Sequence, residues 1–169
     1  MTIDALNKSK KNEAKESLLK CCGSSRWAEK LLQSRPFKDA DSLFSLSEKI
    51  WFEQCSREDW LEAFSQHPKI GDLESLEEKF AATKNWAGNE QAEVNLASKK
   101  VLEKLAVGNE AYFQKFGYIF IVCATRKSAE EMLELLTQRL KNDAEEELKI
   151  AMAEQNKITK IRLQKLFSS

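Results

Sequence analysis

Stripes of apolar residues at helical spacing recur along the chain, separated by short polar breaks. Thr2 to Leu6 reads as a short lead-in whose Ile3 and Leu6 pack onto the body. Ala14, Leu18 and Cys21 predict a helix over Asn12 to Cys22, stopped at Gly23. Ser24 is placed to cap a helix from about Ser25 to Gln33, with Trp27, Ala28 and Leu31 on one side. Arg35-Pro36-Phe37 closes it, and Asp41 or Ser42 begins another, with Leu43, Phe44, Ser47, Ile50 and Trp51 in the stripe. Ser56 and Asp59 mark the next start, before Trp60, Leu61 and Phe64. Leu73 to Phe80 predicts a short helix, and Ala81 to Asn89, without periodicity, a loop. Glu90 opens a longer helix carrying Val94, Ala97, Val101 and Leu105, and Ala111 to Phe116 continues as helix up to Gly117. Ser128 and Glu131 form a capping box ahead of Met132, Leu133, Leu136 and Leu140, and Asn142 ends that helix. Ala144 to Leu166 is expected to be the last and longest, with Leu148, Ala151, Ile158, Ile161 and Leu166 inward.

One run breaks the pattern. Tyr118 to Ala124 is the most apolar stretch of the chain, and its residue types favour a strand. No second strand-like segment is present to pair with it, so a buried helical or irregular segment is expected, able to turn backbone N–H groups toward a ligand. With five glycines and two prolines in 169 residues, and no linker, repeat or low-complexity segment, the expectation is an all-α fold. It is read as a single compact multi-helix domain over residues 1–169.

Charge narrows the partners. Lys plus Arg and Asp plus Glu are 27 each, so no global field points to nucleic acid or a membrane surface. A small anionic ligand would need a local cation instead. Cys21, Cys22, Cys55 and Cys123 lack Cys-x-x-Cys spacing, and with one histidine a zinc site is not expected. Free thiols, a polar N-terminal stretch and no apolar run of membrane length read as a soluble cytoplasmic protein.

Three charged or titratable side chains stand out. His67, the sole histidine, follows a helix and precedes Pro68, which holds it in an extended or turn conformation. Its ordinary pKa of about 6.5 suits acid–base work, although a lone histidine is also commonly a packed or surface residue. Glu90 lies four residues before Val94 and so begins on the apolar face. It is either a paired inward carboxylate or a first-turn acid favoured by the helix dipole. Arg162, midway between Ile158 and Leu166, either packs its stem with its head in water or reaches a buried anion.

His67-Pro68-Lys69-Ile70-Gly71 resembles the His-Pro-x-Ile-Gly signature of the OHCU decarboxylases, which convert 2-oxo-4-hydroxy-4-carboxy-5-ureidoimidazoline to S-allantoin in urate degradation. Further blocks are similar to that family in order: Cys22 to Trp27 with Arg35-Pro36-Phe37, Trp60 to Phe64, Glu90-Gln91, Phe116 to Phe120, and Lys157 to Leu163. The resemblance implies a cofactor-independent carboxy-lyase whose partners are the small-molecule substrate and a second copy in a homodimer. It implies His67 as general acid/base, with Glu90 and Arg162 as its catalytic companions. It also implies a pocket lined by Pro68, by Ala87, Gly88, Asn89, Glu90 and Gln91, and by Phe120, Ile121, Val122, Cys123 and Ala124. Ala87 departs from the family's serine and removes a hydroxyl worth about 0.5–1.5 kcal/mol. A non-catalytic helical module binding a ureido or purine-derived ligand is the alternative.

Overall fold

The computed structural model describes residues 1–68, 74, 76–78, 91–125 and 127–168, with residues 91–97 described by backbone alone. Among the described residues all regular structure is helical. The elements are α1 (Ile3–Lys8), α2 (Lys11–Leu19), α3 (Ser25–Gln33), α4 (Ala40–Glu53), α5 (Arg57–Ser65), α6 (Gln91–Phe116), α7 (Ala129–Arg139) and α8 (Ala144–Phe167). Glu74 and residues 76–78 are also helical, within the stretch where a short helix was expected. The expected loop over Ala81 to Asn89 lies outside the described residues.

Local chemistry corrects several boundaries. The lead-in at Thr2 to Leu6 is helical: the Thr2 hydroxyl accepts from the Ala5 N–H, and α1 forms behind it with Leu6 fully buried, as expected. α2 stops at Leu19, before the expected Cys22, because the Cys21 and Cys22 N–H groups both turn back to the Leu18 carbonyl. α4 begins at Ala40, ahead of the expected Asp41 or Ser42, because Asp39 accepts the Ser42 N–H at 2.8 Å. α7 ends at Arg139 rather than Asn142, and Lys115 Nζ donates to the Leu140 and Asn142 carbonyls at 2.7 and 2.8 Å. The longest helix is α6, 26 residues against 24 in α8. The Ser24 and Ser128 caps stand where the pattern put them, accepting from Trp27 and Glu131.

The chain divides into two compact units. The first holds residues 1–67, 121–123 and 149–169. Its core includes Leu6, Leu18, Trp27, Leu31, Leu43, Ile50, Trp51, Phe64, Ala151 and Leu163. The buried tryptophans each satisfy their indole N–H: Trp27 donates to the Ser47 carbonyl at 3.1 Å and Trp51 to the Met152 carbonyl at 2.9 Å. Glu62 on α5 receives both the Ser25 N–H and the Ser25 hydroxyl, at 2.9 and 2.7 Å. A carboxylate is favoured at that helix start, and the bond ties α5 to α3.

The second unit holds residues 68–120 and 124–148. Leu102, Leu105, Tyr112, Phe116, Met132 and Leu136 fill it. At Gly108 a Cβ would stand 2.7 Å from Leu136 Cδ2, so glycine lets α6 and α7 approach closely. Gly117 ends α6 with φ of +79°, its N–H bonded to the Phe113 carbonyl at 2.8 Å.

Candidate active site

α5 places the histidine. The Gln66 and His67 N–H groups close the helix on the Ala63 and Phe64 carbonyls at 3.3 and 3.2 Å. Pro68 then prevents continuation, and the imidazole is left half-buried. Its Nε2 lies 2.6 Å from Oε1 of Gln155, a fully buried residue of α8. Gln155 Nε2 in turn donates to Thr159 Oγ1 at 3.2 Å. Burial lowers the His67 pKa below its ordinary 6.5, because the cation loses its hydration. The Gln155 contact opposes that shift, and the positive charge of Arg162 adds to it. A neutral imidazole at neutral pH is the result.

Arg162 stands two helical turns beyond Gln155, on the same side of α8. Its guanidinium donates to the Cys21 carbonyl at 3.5 Å, and its charge is felt by both His67 and the Cys21 thiol. It is half-buried. The guanidinium is thus held at the edge of the core, within electrostatic reach of the histidine.

The run after Gly117 is irregular, as one of its two expected forms. Ile121 is buried, and Phe120, Val122, Cys123 and Ala124 are half-buried. The Cys123 N–H donates to the carboxylate of Glu154 at 2.7 Å, the residue beside Gln155. α8 thus holds His67 through one side chain and the 121–123 backbone through its neighbour. In the second unit, the Phe120 ring meets Tyr112 edge-on at 5.2 Å and lies 4.6 Å from the Arg139 guanidinium. Arg139 pairs with the fully buried Glu147, which also takes the Tyr112 hydroxyl and, at 2.9 Å, the Asn142 amide. Burial pushes the Tyr112 phenol far above its ordinary range, so it remains a hydrogen-bond donor.

Within the first unit, then, His67 and Arg162 come together with Gln155, Thr159 and, through Glu154, the backbone of Cys123. Pro68 is exposed. Ala87, Gly88, Asn89 and Glu90 lie outside the described residues, and Gln91 is described as the first backbone position of α6. Sequence reasoning missed Glu154, Gln155 and Thr159. The available signal was the four-residue spacing of Ala151, Gln155, Thr159 and Leu163, which puts two polar residues on the buried stripe. Among the described residues no group of three or more His, Cys, Asp or Glu side chains is arranged to hold a metal ion. No described helix is long and apolar enough to cross a membrane.

The helical fold of the described residues is of a class that has been solved before. A crystal structure of OHCU decarboxylase in the presence of (S)-allantoin superimposes with a TM-score of 0.73, at 38% identity, over 91% of this chain and 99% of that one. The OHCU decarboxylase family model matches residues 7–164, and the chain belongs to that family. It is 39% identical over 148 residues to the uric acid degradation bifunctional protein TTL of Arabidopsis thaliana, covering 88% of this chain and 45% of that protein. It is 27% identical over 142 residues to the 2-oxo-4-hydroxy-4-carboxy-5-ureidoimidazoline decarboxylase of Haloferax volcanii, covering 84% and 81%. The chain therefore spans less than half the length of the Arabidopsis relative.

Proposed function

We propose that this protein decarboxylates 2-oxo-4-hydroxy-4-carboxy-5-ureidoimidazoline to (S)-allantoin. The carbon that loses CO2 adjoins a ring C=N bond. As the C–C bond breaks, its electron pair forms a C=C bond to the imine carbon, the imine nitrogen takes up a proton, and an enol is left. The hydroxyl then gives up its proton and becomes the ring carbonyl, while a proton is added to the neighbouring carbon and sets its handedness. The substrate thus contains its own electron sink, the task a cofactor performs elsewhere. The protein must move protons and hold the substrate still.

His67 is the general acid/base in this reading, and the observation that carries it is its environment. The imidazole is kept neutral by burial and by Arg162, and is held by a buried amide. General acid–base catalysis of this kind contributes about 10²–10⁴-fold. Arg162 would hold a carboxylate or carbonyl oxygen of the substrate, a task suited to its planar fork of donors. Glu90 would fix hydroxyl or ureido N–H groups, with the 87–91 and 120–124 segments and Pro68 lining the pocket. The match of one family model across residues 7–164 supports treating the whole chain as one functional domain. A homodimer accords with the family resemblance and is checked by light scattering. The test of the activity couples urate oxidase and hydroxyisourate hydrolase to the purified protein and follows (S)-allantoin by circular dichroism. Rapid S-product above the spontaneous racemic background is expected, and its loss in folded His67→Ala. No acceleration by folded protein would leave a ligand-binding module.

A further inference from the structure

We propose that Gln155 is a positioning residue that fixes the tautomer of His67, with the proton on Nε2, so that Nδ1 carries the lone pair that exchanges protons with substrate. The catalytic consequence rests on the reading of His67 as the general acid/base, whereas the tautomer rests on the orientation of the Gln155 amide, with Oε1 toward His67 and Nε2 toward Thr159. A primary amide has one acceptor oxygen and two N–H donors at its other end. With Gln155 Nε2 turned to Thr159 Oγ1 at 3.2 Å, Oε1 faces His67 Nε2 at 2.6 Å. A carbonyl oxygen brings no proton to that contact, so the imidazole must donate it. Gln155 is fully buried and Thr159 nearly so, which makes a mismatched pair between them and the imidazole costly.

The same orientation suits both halves of a catalytic cycle. An imidazolium carries N–H on both nitrogens, and Oε1 accepts from Nε2 whether or not Nδ1 is protonated. The reversed amide would set its N–H against Nε2, move the neutral proton to Nδ1 and oppose the imidazolium. Among the described residues, the charge acting on the ring is Arg162, from the same helix as Gln155.

The chain contains one histidine, so full-length protein made with 15N-labelled histidine and no histidine tag gives the signals of a single imidazole. In the neutral form, Nε2 is expected at the pyrrole-type 15N position and Nδ1 at the pyridine-type position. Gln155→Leu should mix the two tautomers and lower kcat at least several-fold, within the roughly 10²–10⁴-fold that acid–base catalysis supplies. KM should change little. Gln155→Glu keeps an acceptor oxygen and should preserve the Nε2–H tautomer while raising the imidazole's titration midpoint. This second variant also covers the case in which leucine prevents folding. A wild-type Nδ1–H tautomer overturns the proposal, as does an unmixed tautomer with unchanged kcat in folded Gln155→Leu, or an unmoved midpoint in Gln155→Glu. Turnover surviving in His67→Ala would instead defeat the catalytic reading and leave the tautomer result standing.

Discussion

The Arg139 guanidinium reaches the Glu147 carboxylate at 2.5 Å with both side chains almost sealed from water. Such a pair gains little over a well-packed apolar replacement, yet breaking it from one side strands a buried charge. Arg139→Met should therefore cost about 3–5 kcal/mol, because the buried Glu147 is left with Tyr112 and Asn142 but without its cation. Adding Glu147→Gln should recover part of that loss. Urea unfolding of the two single variants and the double variant measures the difference. Equal, additive losses would mean that the two side chains act independently.

Gly117 supports a smaller prediction. Its φ of +79° lies in the left-handed region, and nothing stands within 4 Å of where a Cβ would project. Gly117→Ala is thus strained by backbone conformation rather than by crowding. The expected loss is about 1–2 kcal/mol. Gly117→Asn, which tolerates that region better, should lose less in the same unfolding experiment.

The helices were legible where one side of each faces a core. Trp27, Leu31, Ile50 and Trp51 recur at helical spacing and are all buried. Boundaries were less so, because single polar bonds decide them: Asp39 rather than Asp41 caps α4, a choice periodicity does not see. The apolar run after Gly117 was legible as non-strand only through the lack of a partner. His67 and Arg162 were visible as charged or titratable groups in apolar surroundings. Gln155 was not, since a neutral amide on a buried stripe leaves no mark of charge, and its value lies in a contact 88 residues away. Glu147 and Arg139 were hidden for a similar reason, each looking like an ordinary solvated residue of a charged helix.

Three thiols should prove inert in the folded protein. Burial raises the Cys22 pKa to about 12 and those of Cys21 and Cys55 to about 11. The thiolate is the reactive form, so alkylation at pH 8 should spare these three until the chain unfolds. Mass spectrometry after iodoacetamide treatment, with and without urea, checks this. Rapid native modification of Cys22 would contradict its burial.

The pH response of His67 has a defined sign. Its folded pKa lies below the ordinary 6.5, so between the two values the unfolded chain binds a proton that the folded chain does not. Stability is then fully present above 6.5 and declines as pH falls through the lowered folded value. Comparing wild type with His67→Asn in urea across pH 5 to 8 isolates that slope, which the asparagine variant should lack. Arg162 contributes to the same shift as a nearby like charge, second to burial in the lowering direction. Arg162→Met should therefore move the imidazole's NMR titration midpoint upward, while burial still holds it below 6.5. Arg162→Lys should keep more of the electrostatic shift but lose the planar fork of donors, so it separates charge from geometry. If Arg162→Met leaves the midpoint where it was, the guanidinium is too well screened to act on the histidine, and its place in the site must then rest on substrate contact alone.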